Sequence, residues 1–285
     1  LSICFYLFYF YFITISFISC DDPAYTDLMN VFFKRAGSIM LIRTDEVVDL
    51  ETPSGPMRVH VSIPLNEGTY PAIILYSEIY QVTAPIQRLA AMIAGQGYMV
   101  VTPEIYHEYE PAGRVLPYDK DGTDRGNELK YTKTIQSFDD DTESLLEWLD
   151  NNPNCSGSIG AFGVCLGGHL SYRAALFSKV KSAACFYATD IHSATLGFGK
   201  NDNSLERASD LKGELMMVWG RSDPHVPYAG RRKIRDALEE AGARVEWHEV
   251  DGQHAFLRDS APRFDAVLFL NCMALTNSFF QKTLR

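Results

Sequence analysis

Residues 159–168 read Ile159-Gly160-Ala161-Phe162-Gly163-Val164-Cys165-Leu166-Gly167-Gly168. The apolar run at its start has the character of a strand, Ser158 to Gly163, and Gly167 to Phe177 has helical periodicity. Between them lies Gly163-Val164-Cys165-Leu166-Gly167, a nucleophile-elbow pattern with cysteine where serine is usual. A nucleophile held on so sharp a strand-to-helix turn needs small neighbours, because the backbone must reverse tightly around it. The helix that follows favours negative charge at its N-terminus and lowers a thiol pKa there. Alone, the pentapeptide fits a tight turn with a buried cysteine equally well. Its place between a strand and a helix favours the catalytic reading.

Outward from this stretch the chain alternates strand and helix. Strands are expected at Met57–Ile63, Tyr70–Tyr76, Tyr98–Thr102, Lys181–Tyr187, Leu215–Trp219 and Arg244–Glu249. Helices are expected at Ile86–Gln96, opened by Pro85 and ended by Gly97, at Asp139–Leu149, at Tyr228–Ala241 and from about Pro262 onward. The acidic residues at the head of Asp139–Leu149 suit the first turn of a helix. Glu104–Lys133 and Tyr187–Lys212 read as long polar loops, a kind of segment that often carries function. Such alternation predicts an α/β fold with a mostly parallel, doubly wound sheet flanked by helices in a single domain.

An elbow nucleophile needs a base, and the base needs an orienting acid, in the chain order nucleophile, acid, histidine. Asp223 follows the Leu215–Trp219 strand in the turn Arg221-Ser222-Asp223-Pro224, and His254 follows the Arg244–Glu249 strand in Gly252-Gln253-His254. The order Cys165, Asp223, His254 is therefore satisfied. His225, beside the acid, is the rival for the base, whereas His169 on the helix after the elbow reads as a packing or solvated residue. The amide of Leu166, directly after the nucleophile, is a candidate oxyanion donor, and the loop Ser77-Glu78-Ile79-Tyr80-Gln81 is placed to give a second.

Four separated motifs then carry a resemblance: Ser77-Glu78-Ile79, Gly163-Val164-Cys165-Leu166-Gly167-Gly168, Trp219-Gly220-Arg221-Ser222-Asp223 and Gly252-Gln253-His254-Ala255-Phe256. Together, from about Met40 to the C-terminus, they resemble the dienelactone hydrolase family (carboxymethylenebutenolidases) of the α/β-hydrolase superfamily. The resemblance implies a Cys165–His254–Asp223 triad, an oxyanion hole from the Leu166 and Ile79 amides, and a role for Glu78 in holding the resting thiol neutral until substrate arrives. The sequence departs from the family pattern at two places. Pro103-Glu104-Ile105-Tyr106 is followed by His107-Glu108 where the family carries a carboxylate-binding arginine, and Ala255 stands where it has serine. Arg114 and Arg88 are the remaining candidates for carboxylate binding.

The rest of the chain narrows the class of function. Of its 285 residues 46% are hydrophobic and 22% charged, with a net charge of −10. An acidic protein without a basic stripe does not suit nucleic acid. Its six cysteines, Cys4, Cys20, Cys155, Cys165, Cys185 and Cys272, form no CxxC pair and no metal-ligand spacing, so neither a metal nor another cofactor is expected, and reduced thiols suit a cytoplasmic setting. Residues 1–20 are almost wholly apolar and aromatic, without charge until Asp21. They read as an anchor-like segment or as sequence upstream of the true start, and residues 1–39 stand outside the expected domain, 40–285. Membrane contact is expected only if residues 1–20 are a real segment.

The expected function is hydrolysis of a small-molecule ester or enol-lactone through an acyl-enzyme. A general carboxylesterase or thioesterase on the same triad, a non-catalytic binder of a small ligand, and a thiol redox sensor are the other readings. The last lacks a nearby resolving cysteine.

Overall fold

The computed structural model describes residues 41–285; the apolar N-terminal segment lies outside the described residues. A hairpin opens the sheet. β1 (Ile42–Thr52) pairs antiparallel with β2 (Gly55–Pro64), and Thr52 faces Gly55 across the turn. The sequence reading contains no β1, because this edge strand buries little and carries Asp45, Glu46, Asp49 and Glu51. Charges of this kind keep an edge from pairing with another chain.

β2 pairs antiparallel with β4 (Met99–Pro103), and every later pairing is parallel. β3 (Tyr70–Tyr76), β5 (Cys155–Val164), β6 (Val180–Phe186), β7 (Glu214–Gly220) and β8 (Arg244–Val250) complete an eight-stranded sheet in the order β1-β2-β4-β3-β5-β6-β7-β8. The switch from β3 to β4 on one side and β5 on the other puts the C-terminal ends of the central strands beside one crevice, where open parallel sheets bind ligands.

Successive residues of each strand feed opposite faces. On one face α1 (Ala84–Ala94) and α6 (Ala266–Leu284) pack Ile86, Ile93, Phe279 and Phe280 against Ile73, Phe162 and Phe186. On the other, α3 (Ile135–Asp150), α4 (Leu166–Ala174) and α5 (Tyr228–Glu240) pack Leu145, Leu149, Leu170 and Ile234 against Ile74, Ala161 and Met217. Each fully buried side chain of this size contributes about 1.5–3 kcal/mol. The doubly wound, mostly parallel architecture expected from the alternation is therefore present.

Two helix starts and one expected loop differ in ways that bear on packing or on the site. α3 starts at Ile135, with Thr134 capping the Ser137 amide, so Asp139 lies in its second turn rather than its first. Asp139 instead forms a two-pronged pair with Arg173 of α4, at 2.8 and 2.6 Å. α6 starts at Ala266 rather than near Pro262, capped by Asp265, whose carboxylate accepts from the Leu268 amide.

The third difference matters for the site. α2 (Lys120–Thr132) occupies the second half of the expected Glu104–Lys133 loop, capped by Asp119 on the Gly122 amide at 2.9 Å. Gly122 and Gly126 disguised it, since glycine is a poor helix former. Gly126 is required by close packing: a Cβ there would stand 2.5 Å from the backbone carbonyl oxygen of Ile79. Alanine for glycine in a helix ordinarily gains about 1 kcal/mol. At Gly126 the backbone clash wins, and Gly126→Ala is expected to lower stability by about 1–3 kcal/mol in thermal or chemical denaturation. A stabilised variant would show that α2 does not press on the Ile79 loop.

Candidate active site

The elbow carries the strain its sequence demands. Cys165 has φ +59° and ψ −121°, a conformation that costs a non-glycine residue about 1–3 kcal/mol and persists only where surrounding structure holds it. Here the Cys165 amide donates to the Phe186 carbonyl at 3.1 Å and the Cys165 carbonyl accepts from Gly168 at 3.1 Å. A Cβ on Gly163 would lie 1.9 Å from the Gly167 oxygen, and one on Gly167 would lie 2.1 Å from the Tyr76 oxygen. Only glycine fits at either position. Leu166 opens α4, so its amide has no partner within the helix, and the positive end of the helix dipole lies beside the sulfur.

β7 and β8 run side by side and deliver the acid and the histidine from neighbouring strand ends. The Asp223 amide donates to Gly220 at the end of β7, and the Gly220–Gly252 backbones approach so closely that a Cβ on Gly220 would meet the Gly252 oxygen at 2.4 Å. This contact sets the two loops against each other. His254 Nδ1 then donates to Asp223 Oδ2 at 2.8 Å, with both side chains buried. Asp223 Oδ1 accepts the backbone N–H of His225 at 2.8 Å, so both carboxylate oxygens are used. Tyr187 and His225 pack edge-on against the His254 ring, with centroids 5.1 and 4.5 Å away.

Burial works to raise Asp223, but the hydrogen bond from His254 and its charge outweigh it and hold the acid below the ordinary range. Burial likewise disfavours the imidazolium of His254, yet the sulfur of Cys165 and the Asp223 carboxylate push its pKa up to about 10. His225 faces the opposite balance: burial, reinforced by the neighbouring His254 charge, lowers it. The two histidines of the cavity thus differ sharply, and His254 is the one bonded to the acid and raised by the nearby sulfur.

The loop after β3 brings Glu78 and Ile79 to the same cavity. Gln81, fully buried with φ +67°, holds this loop in place. Its side-chain amide donates to the Arg114 carbonyl at 2.9 Å, and its side-chain oxygen accepts from the Tyr106 amide at 3.1 Å. Glu78 is 3% exposed. Burial raises its pKa, against the pull of Arg258, whose Nη1 lies 3.7 Å from Oε2. The Tyr118 hydroxyl donates to the same oxygen at 3.2 Å. Arg258 in turn lies over the rings of Tyr118 and Tyr80, 4.3 and 5.5 Å from their centroids.

Cys165, His254, Glu78, Ile79 and His225 therefore line one cavity of about 400 Å³, with Asp223 buried behind His254 and Leu166 buried beneath the elbow. His169 is not solvated: it is fully buried and bonded to the Ser204 hydroxyl at 2.7 Å. The two arginines proposed for substrate are elsewhere. Arg88 is exposed and paired with Asp259 at 2.6 Å, and Arg114 lies outside the cavity lining, its carbonyl accepting from Gln81. His107 and Glu108, at the position of the missing arginine, face the neighbouring cluster instead, His107 on Asp141 at 2.9 Å and Glu108 on Lys133 and Ser137.

The cations in the cavity wall are Lys130, Arg258 and Arg263. Sequence reasoning missed all three. Arg258 had a signal, four residues past His254 in the same loop, whereas Lys130 had none once α2 was read as loop.

The match to the dienelactone hydrolase family model spans residues 57–284 and so includes every residue of this cavity. The chain belongs to the dienelactone hydrolase family. It is 43% identical over 258 residues to a protein of Saccharomyces cerevisiae described as "Putative carboxymethylenebutenolidase", covering 86% of this chain and 94% of that one. It is 26% identical over 210 residues to a carboxymethylenebutenolidase of Pseudomonas sp. (strain P51), covering 74% and 83%. A crystal structure from Klebsiella pneumoniae subsp. pneumoniae MGH 78578, described as a "Putative Dienelactone Hydrolase", superposes with a TM-score of 0.73 at 19% identity, over 85% of this chain and 99% of that one. The fold is that of the α/β-hydrolases. Among the described residues no helix is long and apolar enough to cross a membrane.

Because the folded-state pKa of His254 is raised above its ordinary 6.5, the stabilisation it provides is complete below about 6.5 and is lost as pH rises through about 10. Its ring protons, followed by NMR, are expected to titrate near pH 10 in the native protein. Cys165→Ala is expected to move that midpoint down, since it removes the largest favourable charge. An unmoved midpoint would show that the sulfur and the imidazole do not interact.

Proposed function

We propose that this dienelactone hydrolase family member cleaves an ester or enol-lactone in two acyl-transfer steps on Cys165. The reading rests above all on one arrangement, a buried Asp223–His254 pair in the same cavity as a thiol carried on a strained elbow. The thiolate attacks the carbonyl carbon, and the carbonyl electrons move to oxygen, to which the Leu166 and Ile79 amides donate hydrogen bonds. Collapse forms the thioester and breaks the bond to the leaving oxygen, which takes the proton from His254. Water then gives a proton to His254 and attacks the thioester, and collapse releases the acid and restores the thiolate.

Preorganised donors of this kind act where charge develops, and loss of one such donor typically costs about 10²–10³ in rate. Thiolate is a good nucleophile and also a good leaving group. The intermediate therefore partitions forward only if the displaced group is stabilised, so enol-lactones and activated esters are preferred over amides. Glu78 is a buried acid of the same cavity, and Tyr118 and Arg258 set its position. Arg258, in turn, offers an anionic substrate a charge close to the nucleophile.

Steady-state rates on p-nitrophenyl acetate and an enol-lactone provide the test. Cys165→Ala is expected to lose roughly 10⁴-fold or more in kcat/KM on both, and His254→Ala to lose a comparable amount. Activity that survives Cys165→Ala would assign the nucleophile elsewhere. A wild-type protein inert to both substrates would favour a binding role for the cavity.

A further inference from the structure

His225 is a cavity histidine that the two acyl-transfer steps leave unused. We propose that His225 is a further catalytic residue, which holds the hydrolytic water against the thioester while His254 takes a proton from it. This deepens the hydrolase reading and rests on Cys165 being the nucleophile.

The main chain of His225 is fixed more firmly than a surface turn requires. Pro224 restricts the backbone on one side. On the other, Val226 is fully buried and its carbonyl accepts from Arg231 at 2.9 Å. The His225 amide donates to Asp223 Oδ1 at 2.8 Å, while Oδ2 of the same carboxylate accepts from His254 at 2.8 Å. One carboxylate therefore registers both histidines, the base through its ring and His225 through its amide. The two rings meet edge to face, with centroids 4.5 Å apart and planes at 64°. Both line the cavity with Cys165, and His225 is exposed, so water from solvent reaches it directly. Yet among the described residues nothing hydrogen-bonds the His225 ring. A fixed main chain carrying a free imidazole beside the base leaves both ring nitrogens for a molecule in the cavity.

Electrostatics give the two rings different work. Burial and the His254 charge lower the pKa of His225 from 6.5, with Arg263 and Lys130 adding to them and Asp223 opposing. At pH 7 the ring is neutral, with one N–H donor and one nitrogen acceptor. His254 at rest is held protonated by the sulfur and by Asp223. Acylation removes the thiolate charge, and the leaving oxygen takes the His254 proton, so the base is neutral when water arrives. Water brings two O–H bonds. One donates to the vacant nitrogen of His254, which takes that proton as the water oxygen bonds to the thioester carbon. The other donates to the acceptor nitrogen of His225 and stays on the oxygen. The carbonyl electrons move to oxygen and then return, the C–S bond breaks, and Cys165 leaves as thiolate beside protonated His254. Held at both O–H bonds, the water keeps a lone pair aimed at the carbonyl, which is the gain from orientation. Attack by the thiolate in the first step needs no such water, so the effect of His225 is confined to the second.

The two steps can be timed separately. The burst of p-nitrophenol from p-nitrophenyl acetate reports acylation. Intact-mass spectrometry of acid-quenched samples, taken after substrate is removed, reports the decay of the acyl group. His225→Phe keeps a ring against His254 but has no acceptor. It is expected to slow the decay about tenfold, the effect of losing one hydrogen bond, with the burst rate retained. His225→Gln, whose side-chain oxygen accepts a hydrogen bond, is expected to recover most of the decay rate. Hydroxylamine attacks a thioester without help from a base, and is expected to release the acyl group from wild type and His225→Phe equally fast. An unchanged decay in His225→Phe, or a burst slowed as much as the decay, would overturn the proposal. So would slower release by hydroxylamine in His225→Phe, which marks a distorted site and not a lost water contact. A wild type that turns over without an acyl group on Cys165 would overturn the hydrolase reading itself, and the proposal with it.

Discussion

The backbone at Cys165 can turn only because two glycines come almost into contact around it. Gly163 faces the Gly167 carbonyl and Gly167 faces the Tyr76 carbonyl at separations that leave no room for a Cβ. This close approach sets how α4 leaves β5, and therefore where the amide of Leu166 and the helix dipole point. It also seats α4 against β3, so the loop that carries Glu78 and Ile79 starts from a strand end pressed on the elbow. The strain at Cys165, about 1–3 kcal/mol, is held by hydrogen bonds to Phe186, Gly168 and Thr189 and by a helix whose nine residues are all buried. Small changes at the two glycines would displace the sulfur, the Leu166 amide and the β3 loop together.

Around that point the polar groups are arranged in pairs that a low-dielectric site requires. Asp223 is satisfied by His254 and His225, Glu78 by Tyr118 and Arg258, and Asp190 by Lys130 and Thr195. Each carboxylate fixes a neighbouring group that faces the cavity: a histidine, an arginine or a lysine. Breaking such a buried pair by removing one partner typically costs about 3–5 kcal/mol, and that cost keeps the geometry in one arrangement.

The sequence made the sheet legible because the central strands are short apolar runs bounded by turns, and the elbow, acid and histidine follow strands whose ends could be counted. Those positions single out Cys165, Asp223, His254 and the Ser77–Gln81 loop as candidates, while the family resemblance singles out Glu78 and Ile79 within that loop. The parts that were not legible share a physical cause. β1 is an edge strand that water and charge make polar. α2 carries glycines that packing on Ile79 demands, so its own sequence resembles a loop. The groups that line the cavity from α2, Lys130 and Asn127, are consequently invisible in the sequence, which offers Arg88 and Arg114 instead. Local pattern reports burial well, but which distant surface a polar helix covers depends on the folded chain.

The most direct measurement is intact-mass and peptide mass spectrometry of the protein quenched in acid during turnover of an activated ester. Acid protects a thioester, so the account predicts one acyl group per protein, located on the peptide that contains Cys165. Turnover accompanied by an acyl group on any other residue would contradict it.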